Sequence, residues 1–209
     1  MRTGFSWTMG AFVLVGVLAG CTSGRCTDGT CVCEPGAACD FECEAPPCTT
    51  LCEGDNPSCV GECGNGECEC GDRSDCSFAC QSPPCHVTCG EAASCEGSCA
   101  NGDCRCGVGS DCEFRCDAPP CHATCEGDND CSAECANGTC TCGDGGRCDF
   151  ACLSGPCHVE CGVGSTCLVE CPNGDAGSMG CDILSCDGEV VVCPDGFATT
   201  CGVPCPPTP

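Results

Sequence analysis

Apolar side chains fall at every second position in short runs along the chain: Cys76-Ser77-Phe78-Ala79-Cys80, Cys112-Glu113-Phe114-Arg115-Cys116 and Cys148-Asp149-Phe150-Ala151-Cys152. In an extended chain positions i, i+2 and i+4 share a face, so each run predicts a short β-strand burying Cys-Phe-Cys. Phe41 holds the equivalent place in an earlier run. A second strand type follows, with Cys-Val-Cys or Cys-Ala-Cys inward around Val87, Ala123 and Val159. Turn chemistry separates the strands, Pro46-Pro47, Pro83-Pro84, Pro119-Pro120 and Gly155-Pro156 in one loop and Asn65-Gly66, Asn101-Gly102, Asn137-Gly138 and Asn173-Gly174 in the other. Cys-x3-Cys also fits one helix face, but breakers this frequent leave no room for the roughly 12 residues a marginal helix needs.

The runs repeat. Cys76, Cys95, Cys112, Cys131, Cys148 and Cys167 each open a Cys-x3-Cys segment at alternating spacings of 19 and 17, and Cys-x-Cys pairs at Cys31/Cys33, Cys68/Cys70, Cys104/Cys106 and Cys140/Cys142 mark a period near 36. Such periods signal a stacked array. The expected fold is all-β and disulfide-rich, a narrow β-solenoid of about eight 18-residue coils; a string of disulfide-linked β-hairpins is the alternative. Phe at the same place in every second coil favours stacking. The expected organisation is a signal peptide over 1–20, a lipidated cysteine and short tether over 21–30, four units of about 36 residues over 31–175, and a degenerate C-terminal cap over 176–209.

Composition shifts the burden of stability to sulfur. After residue 20 there are only five Phe, no Tyr, no Trp and no Lys, while the chain holds 39 Cys. Acidic side chains number 31 against 6 basic ones, a formal charge of −25 that argues against nucleic acid as a partner.

The N-terminus has Arg2, an apolar core from about Met9 to Leu18, then Leu18-Ala19-Gly20-Cys21. The apolar run is short for a membrane span and has the layout of an export signal. Its end resembles the lipobox of bacterial lipoproteins. That resemblance implies cleavage before Cys21, diacylglycerol on its sulfur and acylation of the new amino group. Thr22 rather than Asp follows, which within that family implies sorting to the outer membrane. Taken whole, the chain resembles the cysteine-rich repeat lipoproteins of myxobacteria and related bacteria.

Setting Cys21 aside for lipid leaves 38 cysteines, enough for 19 bridges. Across a two-residue Asn-Gly turn, Cys99 and Cys104 would stand opposite with Cα atoms about 4.5–5.5 Å apart, within disulfide range, whereas cysteines four apart in one strand are about 13 Å apart. The expected bridges are therefore Cys63–Cys68, Cys99–Cys104 and Cys135–Cys140, with Cys80–Cys85, Cys116–Cys121 and Cys152–Cys157 across the Pro loops. Coil-closing bonds are expected at Cys76–Cys89, Cys112–Cys125, Cys148–Cys161, Cys95–Cys106 and Cys131–Cys142.

Other chemistry is sparse. Cys-x2-Cys, the usual spacing of zinc and thioredoxin-like sites, does not occur. His86, His122 and His158 share one repeat position, yet in alternate coils they would lie about 9–10 Å apart, too far to share an ion, and read as surface polar residues. The acidic turns Glu53-Gly54-Asp55-Asn56 and Glu126-Gly127-Asp128-Asn129-Asp130 match no calcium-loop pattern. No catalytic constellation stands out from the repeat, and no cofactor or metal is assigned. The expected function is non-catalytic: a membrane-anchored repeat lipoprotein with a structural, adhesive or partner-binding role in the cell envelope, its protein or polysaccharide partner unspecified. A protein sequestering soft metals or calcium is the alternative.

Overall fold

The computed structural model describes residues 23–25, 29–43, 46–56, 58–172 and 181–207. The lipobox, Cys21 and the Asn173-Gly174 turn lie outside them. The chain is an all-β, disulfide-rich solenoid of about seven turns, against about eight expected. Short strands open the stack: β1 (Ser23–Arg25), β2 (Thr30–Cys33), β3 (Ala38–Glu42) and β4 (Thr49–Cys52). Six long strands follow: β5 (Ser58–Cys70), β6 (Asp75–Cys89), β7 (Ser94–Cys106), β8 (Asp111–Cys125), β9 (Asp130–Cys142) and β10 (Arg147–Cys161). β11 (Thr166–Glu170), β12 (Cys181–Ser185), β13 (Val190–Val192) and β14 (Ala198–Cys201) finish it.

Neighbours from β5 to β10 pair in parallel, so Cys59, Cys76, Cys95, Cys112, Cys131, Cys148 and Cys167 form one in-register column. Parallel pairing between coils excludes the string of hairpins, which needs antiparallel pairing within each unit. Each long strand comprises both expected short strands and the corner between them. The Pro and Asn-Gly loops are thus not hairpin turns: backbone pairing with the coils above and below continues around the corner, with a register shift there, for instance between Cys63 and Gly66.

Gly61, Phe78, Gly97, Phe114, Ala133, Phe150 and Val169 stack in one column, large alternating with small except at the end. A Cβ on Gly97 would come within 3.1 Å of Val87 Cγ1 and 3.6 Å of Phe114 Cδ1. Phe recurs only in alternate coils because the coil between, about 4.8 Å away, must make room for the rings on either side.

From β5 onward coils are joined by four-residue turns whose third residue is left-handed: Arg73, Ala92, Gly109, Asp128, Gly145 and Gly164, at φ between 53° and 72°. The amide of that residue donates to the next turn, as from Arg73 to the Glu91 carbonyl (2.9 Å) and from Ala92 to the Val108 carbonyl (3.0 Å). Turns therefore stack as regularly as strands. At the C-terminal end β12 pairs in parallel with β10. Only then does the direction reverse: β14 pairs antiparallel with β11, and β13 with β14.

Candidate functional site

Sulfur chemistry dominates the interior, in two bonded columns. Cys43–Cys48, Cys63–Cys68, Cys80–Cys85, Cys99–Cys104, Cys116–Cys121, Cys135–Cys140 and Cys152–Cys157 close the corners, with Cα atoms 5.8–6.3 Å apart. Six of these are the bonds expected across the Asn-Gly and Pro loops. Their geometry is not the hairpin geometry from which they were argued, because the two cysteines belong to opposite walls of the coil.

The coil-closing bonds are corrected by the structure. Cys76–Cys89, Cys112–Cys125, Cys148–Cys161, Cys95–Cys106 and Cys131–Cys142 are replaced by bonds across the four-residue turns. These are Cys70–Cys76, Cys89–Cys95, Cys106–Cys112, Cys125–Cys131, Cys142–Cys148 and Cys161–Cys167, with Cα atoms 6.0–6.5 Å apart. Cys33–Cys39 and Cys52–Cys59 continue that column toward the N-terminus. A solenoid coil does not meet its own beginning. Its last cysteine faces the first cysteine of the next coil, and the turn between them is short enough to bridge. Cys31 is also disulfide-bonded.

Cys70, Cys76 and Cys95 bring their sulfur atoms within 4.8 Å of one another in the buried column. Cys70 is bonded to Cys76 and Cys95 to Cys89, so none of the three offers the thiolate that a soft metal requires.

The histidine row has a role missed in the sequence. His86 Nδ1 accepts the Asp103 amide (3.2 Å) and His122 Nδ1 accepts the Thr139 amide (3.0 Å), each from the following coil. His158 Nδ1 instead meets Asp182 Oδ1 at 2.8 Å. All three half-buried rings tie one coil to the next, those of His86 and His122 beside Gly102 and Gly138 of the Asn-Gly corners. Their recurrence directly after a corner cysteine was the available signal.

The acidic turns commit their groups separately. Asp55 takes Arg73 in a two-pronged pair (2.7 and 3.0 Å), which lowers its carboxyl pKa below the usual range. Glu126 pairs with Arg105. Asn56 turns inward, donating to the Cys33 carbonyl (3.4 Å) and to the Glu53 carbonyl. On the outward face of the first-strand wall, Asp149 lies beside Arg147 and near Asp130. Its residue surface faces solvent, yet its carboxylate is crowded by neighbouring atoms, and this desolvation raises its pKa above the ordinary value, with Arg147 opposing and Asp130 adding to the rise.

Grooves run past Asp111, Asp128, Asp130 and Arg147, with a volume of about 390 Å³, and past Glu96, Glu113, Arg115 and Asp117, about 300 Å³. Both are made from the repeated outward rows. No family model, no curated protein and no solved structure matches the chain.

Proposed function

We propose that this chain is a non-catalytic repeat lipoprotein of the bacterial cell envelope, anchored through acyl chains on Cys21 to the outer membrane. Its acidic solenoid acts there as a stiff rod in a structural, adhesive or partner-binding role. The observation that supports this most directly is that disulfides close both ends of successive coils. A fold so dependent on oxidised cysteine belongs outside the reducing cytosol. The outward rows repeat from coil to coil, whereas catalysis ordinarily needs one unique arrangement of groups. Several acyl chains supply the stable attachment that one chain cannot.

Replacing Cys21 by Ser is the test: the protein should leave the membrane fraction and become soluble. A variant that still floats with lipid would remove the anchor. Elemental analysis of the chain purified without chelator addresses the role itself. Several equivalents of zinc, copper or calcium per chain would replace it with metal sequestration.

A further inference from the structure

β13 is the last strand of the main sheet and pairs only with β14; among the described residues no strand lies on its other side. The amide of Cys193, the next residue, donates to the Ala198 carbonyl of β14's first residue (2.8 Å). Backbone groups alternate along a strand, so Val191 also turns toward β14, while Val190 and Val192 present their N–H and C=O to the open side. Val190, Val191 and Val192 are 45%, 39% and 53% exposed, so both faces of the strand remain partly open to solvent. Natural edge strands are usually blunted by charge, proline or a bulge, and this run has none of these. The edge is also held in place, because Cys186–Cys201 ties β14 and Cys193–Cys205 fixes the end of β13.

Charge identifies the occupant. Asp187, Glu189 and Asp195 flank the strand, and from Cys148 to the end there is no Lys or Arg. Antiparallel pairing of two β13 strands from separate copies would set Asp187 and Glu189 of one beside Asp195 of the other, so like charges would meet at both ends. We propose that β13 is a docking edge that takes an extended segment of a partner protein as an added β-strand, the segment carrying alternating apolar side chains between basic residues. Main-chain hydrogen bonds at Val190 and Val192 would hold it, and the flanking carboxylates would select its basic ends. This inference rests on the partner-binding reading. It is measured in solution, so a failed anchor leaves it standing, and its failure leaves the anchor standing.

The probe is a capped peptide, Lys-Val-Thr-Val-Thr-Val-Lys, titrated into the full chain and followed by backbone amide NMR. The expected result is saturable shifts centred on Val190 to Val192, weakening with salt, and affinity lower by about tenfold or more for the same peptide with Glu at its ends. Val192→Pro removes an outward donor while sparing the ladder to β14, and should weaken binding by at least about tenfold with an unchanged disulfide map. Val192→Lys is a second variant that keeps the backbone donor, places a like charge against the peptide's ends and should also weaken binding. No binding to the wild-type chain, shifts spread along the acidic rows, or binding by both variants as tight as that of the wild-type chain would overturn the proposal. So would self-association of the wild-type chain that Val192→Pro abolishes.

Discussion

Glycine at an Asn-Gly corner serves the stack more than the bend. At Asn65, Asn101 and Asn137 it is asparagine that adopts the left-handed conformation, at φ 49°, 51° and 49°. The glycine that follows is needed because a Cβ on Gly66, Gly102 or Gly138 would collide with the carbonyl oxygen of Cys48, Cys85 or Cys121 in the coil below. Gly102→Ala should therefore cost about 1–3 kcal/mol of strain and lower the yield of correctly oxidised protein, seen as free thiols by mass spectrometry. Gly109→Ala should be much milder, since its Cβ would meet nothing within 4 Å and Ala92 occupies the equivalent turn position at φ 53°. Asp149 carries a second expectation. Its folded pKa is raised, so between its ordinary and folded values the folded chain binds more protons than the unfolded one, and stability contributed here falls as pH rises through that window. Carboxyl NMR should place its midpoint above that of an exposed Asp. Arg147→Ala should raise the midpoint further, and Asp130→Asn should lower it, because Arg147 favours the ionised form and Asp130 opposes it.

Between strand and strand, the bond map is decided by how a coil climbs. A ring closed on itself would bond Cys76 to Cys89; a solenoid bonds Cys89 forward to Cys95. Digestion of the non-reduced protein should yield peptides joining cysteines five and six apart through the array, such as Cys99–Cys104 and Cys106–Cys112. Recovery of Cys76–Cys89 would restore the closed-ring arrangement. Entropy alone could not have chosen, because loop closure favours a 14-residue ring over a seven-residue one by only about 0.6 kcal/mol. The strands, the alternation of faces and the corner bonds were legible because a period of two and a four-residue gap between cysteines act locally. The forward turn bonds were not, since composition alone cannot show that a coil ends one level above its start. Gly61, Gly97 and Ala133 were overlooked for a related reason. Their smallness has meaning only beside Phe78, Phe114 and Phe150, which are neighbours in space and lie 17 or more residues away in sequence. The open edge at Val190 to Val192 was not legible either, because only the sheet order reveals that its outer side is open.

For the whole molecule, the fold opposes its own charge. A formal charge of −25 spread over coils about 4.8 Å apart repels itself, and there are few large apolar side chains to counter it. Four arginines offset some of this locally: Arg73 pairs with Asp55, Arg105 with Glu126 and Arg115 with Glu113, while Arg147 lies against Asp149. Exposed pairs of this kind contribute little. The decisive term is the constraint that disulfides place on the unfolded chain, about 2–3 kcal/mol for each small loop taken alone. Reduction should thus dissolve the rod rather than loosen it. By small-angle X-ray scattering the oxidised chain should stay compact and insensitive to salt, while the fully reduced chain should expand toward a radius of gyration of roughly 50 Å, the value for an unfolded chain of this length. Added salt should contract the reduced chain, because screening weakens repulsion among its 31 acidic side chains. A reduced protein that kept its compact scattering profile would mean that packing of Phe, Val and backbone ladders carries the fold, and that the cysteines merely record it.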